Sequence, residues 1–577
     1  MSSQPSSASA HAAPVSLILA AALPPLLAFN QTPAATLYNQ LLALAGWGLA
    51  LVCWASSAPG WRAGLKSPAA VAMALLLAAP VVSVVGRGLP LSLGLNAVAV
   101  IGAGLAVLLL AQGLSRPARQ KAAEAFCCGL LLTGLLSVGI SLVQVFAPEL
   151  ANGVVIARSG VVGSAVSNLR QPNHLASLMM WSAIAAVYVT ERRGWRWLLP
   201  PLLAAFVFTV VLSASRTGYI GIAMLAVWGI VDRRLSGTAR LSLLATPLML
   251  GASWWLMSHW SAESGHAFRG ASRLAEGAGS PSRVAILRDA WGLITANPLT
   301  GVGWGEFNFA WSLTPFPTRP IAFFDHTHNL PAQLAVELGL PWAGAVLGLL
   351  AWALWRGWRG AVNSQGDDAP LRRAALMIVL TIGLHSLLEY PLWYAYFLLP
   401  ACFALGLALP VDDAAAPAPA TPGVVVGVVL IAASMLAVGD YQRIAAIYAP
   451  SADAQPLKQR IAIGQGSPFF SHHADYAAAT SLPPGPDALA AARRTAFSLV
   501  DARLLMHWSR SLEATGDIEG ARFLADRLRE FRNPTGDNWF ESCTEASPSP
   551  DASPASSPAA MVQCQPASGV VDWRTLR

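Results

Sequence analysis

The sequence predicts an all-α polytopic membrane protein, and three observations support that fold class. Of the 577 residues, 55% are hydrophobic and 12% are charged, whereas soluble domains carry roughly 25% charged residues. Apolar runs close to the roughly 20 residues that span a bilayer recur as far as about residue 440. Clusters of basic residues separate these runs. The composition excludes a disordered chain, argues against an ordinary soluble enzyme, and gives a net charge of +7 that is too small and too scattered for a nucleic-acid partner.

Hydropathy predicts about thirteen transmembrane helices. The first could pass for a signal peptide, but no Lys or Arg precedes it and Pro24-Pro25 interrupts it, so we interpret it as an uncleaved span. The predicted spans lie near residues 15–29, 37–55, 68–86, 93–113, 125–147, 174–190, 197–213, 217–231, 241–257, 329–355, 374–389, 392–410 and 422–439.

The basic clusters predict the orientation, because cytoplasmic loops carry an excess of Lys and Arg. Every cluster follows an even-numbered span, so one orientation explains them all, with the N-terminus in the cytoplasm. A transmembrane domain over 1–440 then precedes an outer region over 441–577, and a long outer loop covers about 258–328. The clusters are Arg62 with Lys66; Arg116, Arg119 and Lys121; Arg192, Arg193 and Arg196; Arg233, Arg234 and Arg240; and Arg356, Arg359, Arg372 and Arg373.

The outer C-terminal region is predicted to be helical. Between 485 and 532 the pattern is amphipathic, and the Gly516-Asp517 turn resembles the turn of a tetratricopeptide-type helix pair. The low-complexity segment 547–560 is predicted to be disordered. Cys543 and Cys564 flank that segment, and an oxidising compartment would allow them to form a disulfide.

Carboxylates are scarce in the first half of the chain. Between residues 1 and 257 the acidic residues stand near span ends, and no pair faces another within a span. Ion-coupled transporters usually need such buried carboxylates, so the transporter hypothesis is weakened. The first outer loop, NQTPAAT, contains no acidic residue, which disfavours a mechanism that depends on a divalent ion.

Polar residues that are uncommon in membranes gather instead in five segments, all predicted at the outer face. Simple structural explanations exist for some of them: arginines snorkel at interfaces, and Asn173 could cap a helix. His326 and His328 lack a third metal ligand at fixed spacing, and GVGWG has no surrounding βαβ unit. The segments are SNLRQPNHLASLMMW (167–181), SASRTG (213–218), SRVAILRDAWGLITANPLTGVGWGEF (282–307), DHTHNLPAQLAVELG (325–339) and HSLLEYPLWYAYF (385–397).

Together these segments resemble the O-antigen ligase and polymerase superfamily. The QPNH and EYPLWY elements look most like its bacterial protein O-oligosaccharyltransferases, the pilin-glycosylating ligases of the PglL type. The similarity covers about 160–410. It implies a multi-pass enzyme of the bacterial inner membrane, with its active face and C-terminus in the periplasm. Rival interpretations are a ligase that attaches O-antigen to lipid A–core, an O-antigen polymerase, and a lipid or polysaccharide transporter without chemistry.

The resemblance also implies a mechanism. Such an enzyme would transfer a preassembled glycan from undecaprenyl pyrophosphate to Ser or Thr hydroxyls of a pilin-like or periplasmic protein, inverting the anomeric centre with no metal or other cofactor. Guanidinium groups would stabilise the pyrophosphate leaving group, and a histidine would accept the hydroxyl proton. The implied catalytic residues are His328, Arg216 and Arg283, and the implied substrate-binding residues are Arg170, Gln171, His174, Arg288, His326 and Tyr390.

Overall fold

The computed structural model describes residues 7–271, 281–366, 368–410, 416–543, 561–569 and 571–577, and these residues form helices without any β-strand. The predicted all-α class is therefore confirmed. The α-helices are α1 (Ser7–Leu26), α2 (Leu37–Trp54), α3 (Trp61–Gly64), α4 (Pro68–Arg87), α5 (Leu91–Gly113), α6 (Arg116–Phe146), α7 (Pro172–Arg193), α8 (Leu199–Ser213), α9 (Arg216–Val231), α10 (Gly237–Leu244), α11 (Thr246–Ser264), α12 (Pro281–Ala296), α13 (Phe307–Leu313), α14 (Leu330–Leu338), α15 (Leu340–Asn363), α16 (Asp368–Ser386), α17 (Ala395–Ala408), α18 (Thr421–Tyr448), α19 (Leu457–Gln465), α20 (Ser471–Ser481), α21 (Pro486–Thr495), α22 (Ala502–Ala514), α23 (Ile518–Phe531) and α24 (Pro534–Phe540).

Among the described residues, 6 helices are long and apolar enough to cross a membrane, and the pair α10–α11, bent by 42°, would make a seventh. The prediction of about thirteen spans is therefore not confirmed, although each predicted span coincides with helical structure. Some of the remaining helices, such as α9 and α17, are short, and α7 carries polar residues at its N-terminal end. The six are Leu37–Ser57, Pro68–Arg87, Leu91–Gly113, Arg116–Phe146, Arg196–Ser213 and Thr421–Tyr448.

The predicted span 329–355 is divided in the structure. Gly339, with a φ of +77°, separates α14 from α15. Asn329 caps α14 by accepting a hydrogen bond from the backbone N–H of Ala332. The helix buries the polar side chains of Gln333 and Glu337. A helix that faces lipid would bury such side chains only where they had hydrogen-bond partners.

The chain forms two compact units. Unit 1 comprises residues 1–76, 99–278 and 346–438, and unit 2 comprises 77–98, 279–345 and 439–577. Four helices, α4, α5, α15 and α18, contribute residues to both units.

Unit 1 is held together by close helix packing around large aromatic side chains. The rings of Trp47, Phe126 and Phe403, on α2, α6 and α17, lie 5.1–6.2 Å apart. Gly48 and Gly427 let α2 and α18 approach so closely that a Cβ on either would meet the other's carbonyl oxygen within 2.8 Å. Small residues at helix contacts are typical of membrane bundles.

Unit 2 contains two successive antiparallel helix pairs, α20 with α21 and α22 with α23. The predicted pair around Gly516-Asp517 is confirmed: Gly516 has a φ of +91°, and Asp517 caps α23 by accepting from the N–H of Gly520. Cys543 and Cys564 form the disulfide that the sequence allowed. The segment 547–560, predicted to be disordered, lies outside the described residues.

Candidate active site

The structure divides the predicted site residues between the two units. Unit 1 contains Arg170, Gln171, His174, Arg216 and Tyr390, and unit 2 contains Arg283, Arg288, His326 and His328.

In unit 1, the entry of α7 is fixed by Gln171. Its side-chain oxygen accepts a 2.7 Å hydrogen bond from the backbone N–H of His174, and Pro172 occupies the first helical position. The N-cap is thus Gln171, and the alternative in which Asn173 caps the helix is wrong. The amide of Asn173 is left for tertiary contacts.

Asn173 joins three of the polar segments. Its Nδ2 donates to Glu389 Oε1 at 3.0 Å, and its Oδ1 accepts from Ser215 Oγ at 2.6 Å. Ser215 also caps α9 by accepting from the N–H of Gly218. One amide therefore connects RQPNH, SRTG and HSLLEY, although Glu389 lies 216 residues away in sequence.

His174 is buried and enclosed by aromatic side chains. Its Nδ1 lies 3.3 Å from Tyr396 Oη. Its ring packs edge-on against Tyr394 and Phe397, with centroids 4.6 and 5.0 Å away. The ring of His385 follows at 5.8 Å. These contacts fix the orientation of the imidazole of His174 within unit 1.

Arg170 supports the loop that precedes α7. Its φ of +57° is left-handed, and its guanidinium donates to the carbonyls of Ala28 and Ala35, the latter at 3.2 Å. Such contacts are typical of an arginine that holds backbone segments together. A role in positioning the loop therefore agrees better with this geometry than direct binding of an anion.

Arg216 and Tyr390 stand at the ends of helices in unit 1. Arg216 is the half-buried first residue of α9, reached through a turn in which Ala214 has a φ of +52°. Tyr390 follows α16 and stacks on Tyr394, with ring centroids 6.2 Å apart. SASRTG thus forms a tight turn between α8 and α9.

In unit 2, His328 occupies a constrained turn immediately before the N-cap of α14. Its φ is +55°, a left-handed value that is uncommon for residues other than glycine. Its half-buried ring packs edge-on against Phe324 at 5.5 Å. Thr327 fixes the turn, because its backbone N–H donates to Gln333 Oε1 at 2.7 Å and its hydroxyl donates to the carbonyl of Asn329 at 2.9 Å.

His326 lies on the same turn beside a carboxylate. Its Nδ1 is 3.2 Å from Asp325 Oδ1. Burial by itself would raise the pKa of the Asp325 carboxyl, but the hydrogen bond to His326 and the nearby His328 keep that pKa below its usual value. Asp325 therefore stays ionised near neutral pH and orients the His326 ring.

The glycine-rich segment GVGWG packs on α14. The N–H groups of Val302 and Gly303 donate to the carbonyls of Val336 and Glu337 at 2.8 and 3.0 Å. Gly301 is required at this approach, since a Cβ there would meet the carbonyl of Glu337 at 2.4 Å and its φ is +61°. Two of the predicted segments, 282–307 and 325–339, are thereby joined.

Helix α12 carries the two predicted arginines of unit 2. Arg283 is half-buried in its first turn. Arg288 is exposed and donates to Asp289 Oδ1 at 3.2 Å and to the carbonyl of Thr318 at 3.0 Å. The other carboxylate oxygen of Asp289 accepts from the indole of Trp311 at 3.3 Å. Arg288 thus holds the loop after α13 against α12.

Sequence reasoning missed the residues that brace this loop from the C-terminal region. The side chain of Arg319 is 1% exposed, and its guanidinium lies 5.0 Å from the Trp311 ring and 4.5 Å from the Phe531 ring. Glu530 Oε2 is 3.3 Å away. Burial lowers the pKa of Arg319 to about 10. No local pattern marks this contact, because its partners are separated by 211 residues.

Across the residues that the structure describes, no group of three or more His, Cys, Asp or Glu side chains is arranged to hold a metal ion.

Three family models match the chain. An O-antigen ligase model matches residues 201–341, and a protein glycosylation ligase model matches 165–189. A model of the C-terminal part of a virulence factor membrane-bound polymerase matches 373–534.

Two curated relatives come from Acinetobacter baylyi. A general O-oligosaccharyltransferase is 26% identical over 256 residues, which cover 42% of this chain and 43% of the relative. A ComP-specific O-oligosaccharyltransferase is 21% identical over 271 residues, covering 45% and 46%. The chain thus spans about half the length of the curated relatives it matches.

These matches include the segments from which the resemblance was drawn. The protein glycosylation ligase model covers the entry of α7 with Arg170, Gln171 and His174, and the O-antigen ligase model covers Arg216, Arg283 and His328. The chain is therefore similar to the PglL-type protein glycosylation ligases and to the O-antigen ligases, as its sequence motifs predicted.

Proposed function

We propose that this protein transfers a preassembled glycan from undecaprenyl pyrophosphate to Ser or Thr hydroxyls of a pilin-like or other periplasmic protein. The observation that carries the proposal is the Asn173 network, which joins the three family-like segments of unit 1. The segment at its centre is the one matched by the protein glycosylation ligase model. The names of both curated relatives also refer to transfer of an oligosaccharide to oxygen.

The proposed reaction inverts the anomeric carbon without a metal ion. The acceptor oxygen attacks the face opposite the pyrophosphate, and the sugar–phosphate bond breaks. Arg216 and Arg283 stabilise the charge that develops on the leaving group, since guanidinium pairs with phosphate oxygens in a planar, two-pronged geometry. Arg216→Lys and Arg283→Lys should each slow transfer by about a hundredfold, because lysine keeps the charge but loses that geometry.

His328 is the proposed general base, which takes the proton of the acceptor hydroxyl. A histidine suits this step because the imidazole can accept a proton near neutral pH. The left-handed turn and the Phe324 contact restrict where the ring can lie, and a restricted base loses less entropy in reaching the transition state. His326, held by Asp325, is the second candidate.

The remaining predicted residues have proposed positioning or substrate-binding roles. Gln171 and Arg170 hold the loop at the entry of α7. Arg288 holds the loop after α13. Tyr390 supplies aromatic and polar surface to the donor or the acceptor within unit 1, and the buried His174 positions the aromatic side chains packed around it.

The proposed location is the inner membrane, with unit 2 in the periplasm. Unit 2 gathers three segments that the charge pattern predicts to lie outside: the connection around 88–90, much of the long loop and the C-terminal region. An alkaline phosphatase fusion after about residue 450 should be active, and one near residue 235 should be inactive. The reverse pattern would overturn the orientation.

A transfer assay with the full chain tests the function. Reconstituted protein, a labelled lipid-linked glycan and a purified pilin should give O-linked label on the pilin and should release undecaprenyl pyrophosphate. EDTA should leave the rate unchanged. Glycan movement across the membrane without pyrophosphate release would instead support a transporter.

A second candidate is a ligase or polymerase whose acceptor is another glycan. The matches to O-antigen ligase and virulence factor polymerase models favour it. Adding lipid A–core and a second lipid-linked glycan as competing acceptors separates these functions. Label that enters only lipopolysaccharide or longer glycan chains would contradict the proposed protein acceptor.

A further inference from the structure

A cavity of about 500 Å³ lies within unit 1, outside the residues assigned to glycan transfer. It is formed where the first turn of α6, the C-terminal half of α15 and the first turns of α16 meet. Its charged and aromatic lining consists of Arg116, Trp355, Arg356, Arg359, Asp368 and Arg372.

The described lining is strongly basic. Among the described residues, four guanidinium groups and one carboxylate, that of Asp368, line the cavity. Arginines in cytoplasmic loops are expected from the positive-inside rule alone. The cavity adds convergence, because Arg116 at the start of α6 lines the same space as Arg356 and Arg372 of the consecutive helices α15 and α16. Guanidinium groups that line one space can bind an anion together through charge-assisted hydrogen bonds.

The size and chemistry of the cavity suit a phosphate group. Arginine matches the tetrahedral oxygens of phosphate through several parallel N–H donors. The guanidinium of Arg359 lies over the Trp355 ring at 5.2 Å, which restricts one of these donors. A cavity of this volume holds more than a single phosphate, so a headgroup with a second polar moiety also fits.

Three tryptophans indicate that the cavity stands at a lipid surface. Trp352, Trp355 and Trp358 follow each other at intervals of three residues on α15 and are 52%, 49% and 55% exposed. Residues three apart share one side of a helix. Exposed tryptophans in such a row are typical of the headgroup level of a bilayer, and Trp355 itself lines the cavity.

We propose that this cavity binds the phosphate of an anionic phospholipid headgroup, such as phosphatidylglycerol or cardiolipin. Basic pockets between membrane helices on the cytoplasmic side recognise such headgroups. The bound lipid would hold the ends of α6, α15 and α16 together. This inference is independent of the proposed glycan transfer.

Native mass spectrometry of the full chain in detergent tests the site, with phosphatidylglycerol or phosphatidylcholine titrated in. The pocket variant Arg356→Gln/Arg359→Gln should bind phosphatidylglycerol about tenfold more weakly than the wild type, since each lost charged hydrogen bond weakens binding substantially. Arg62→Gln/Lys66→Gln removes the same charge from exposed positions that do not line the cavity, and it should bind like the wild type. Arg356→Lys/Arg359→Lys should be intermediate.

Thermal unfolding in phosphatidylcholine checks that the variants fold, and added phosphatidylglycerol should raise the melting temperature of the wild type but not of the Gln variant. Inorganic phosphate is titrated in parallel. Stabilisation by inorganic phosphate at the same concentrations, without an effect of phosphatidylglycerol, would overturn the lipid assignment. Equal loss of lipid binding in the pocket variant and in the Arg62→Gln/Lys66→Gln control would show that binding depends on the total charge of the protein. That result would overturn the site.

Discussion

The two units position the residues of their polar segments, which resemble the O-antigen ligase superfamily, in different ways. In unit 1 the motif residues bond to one another: Asn173 connects Ser215 and Glu389, and all three come from the recognised segments. In unit 2 the histidines stand on a turn that Thr327 fixes from within its own segment and that residues outside every motif brace as well. Phe324 packs on His328 and on Trp311, and Trp311 packs on Phe531 of the C-terminal region.

This difference shows what each part of the sequence contributes. In unit 1 the polar groups of the Asn173 network and their hydrogen-bond partners all lie within the recognised segments. In unit 2 the turn depends on a cluster of aromatic rings and on Asn308, whose Oδ1 accepts from the N–H of Val500 at 2.5 Å. The C-terminal region therefore has a structural task at the His328 turn, in addition to any contact with an acceptor.

The largest expected effect concerns His328. His328→Ala should reduce the transfer rate by roughly 10²–10⁴, the usual contribution of a positioned general base, while binding of the lipid-linked donor persists. His326→Ala should have a milder effect. Single-turnover rates and donor binding measured separately check this. Full activity of His328→Ala would remove the residue from catalysis and direct attention to Tyr390 or Gln171.

Removing a ring from the C-terminal region should also impair the His328 turn. Phe531 is fully buried, with Phe323 stacked on it at 3.8 Å. Phe531→Ala should destabilise unit 2 by about 3–5 kcal/mol, as expected for a large ring lost from a core, and should slow transfer. Hydrogen exchange at residues 323–329 and the transfer rate report the two effects.

Phe540→Ala is the matched control, because Phe540 contacts Trp539 and Arg529 instead of that cluster. It should leave hydrogen exchange at 323–329 unchanged. The same increase in exchange in both variants would mean that the C-terminal region acts on the turn without the aromatic contacts.

The Asn173 network should contribute less. Asn173→Ala removes the amide donor from the buried Glu389 and the acceptor of the Ser215 hydroxyl, which should cost about 1–3 kcal/mol. A double-mutant cycle with Glu389→Gln measures the coupling from thermal unfolding. Asn152→Ala, at an exposed loop position, should have a smaller effect. Additive effects of Asn173→Ala and Glu389→Gln would show that the pair is not coupled.

A comparable effect is expected from pH, through two buried histidines of unit 2. Burial lowers the pKa of His473 from 6.5 to about 4, and burial followed by the nearby His473 also lowers the pKa of His472. The unfolded chain therefore binds more protons below pH 6.5, so stability is lost as the pH falls from about 6.5 to about 4.

His473→Gln should flatten that dependence by about 1–3 kcal/mol over the same interval, measured by thermal unfolding at each pH. The control is His266→Gln, since His266 is exposed and belongs to unit 1; it should keep the wild-type slope. An identical slope in wild type and His473→Gln would exclude the buried histidine as its source.

Much of the fold could be predicted from local pattern. The predicted spans 37–55 and 68–86 match Leu37–Trp54 and Pro68–Arg87 within a residue, because a run of apolar residues in a bilayer must satisfy its backbone as a helix. The amphipathic pair around Gly516 was also predicted correctly. The number of spans was not confirmed, because hydropathy describes a short window and cannot tell a membrane crossing from a helix buried in protein.

The candidate site was predicted in part. The five segments were identified by their polar composition, and Gln171, predicted to bind substrate, is also the N-cap of α7 in the structure. The alternative in which Asn173 caps the helix was wrong. The helix begins at Pro172, so Gln171 occupies the N-cap position. Arg319 was missed because nothing near it in sequence indicates that Glu530 and Phe531 surround it.

By itself the sequence determined that this protein is an all-helical membrane protein, where its uncommon polar segments lie and which superfamily it resembles. Those properties depend on composition, periodicity and short motifs, all of which are local. Only the tertiary structure decided that Asn173 meets Glu389, that Gly339 divides the predicted span at 329–355, and that the C-terminal region braces the His328 turn. These contacts join residues far apart in the chain, and their free energy depends on burial and hydrogen-bond geometry that exist only once the helices have packed.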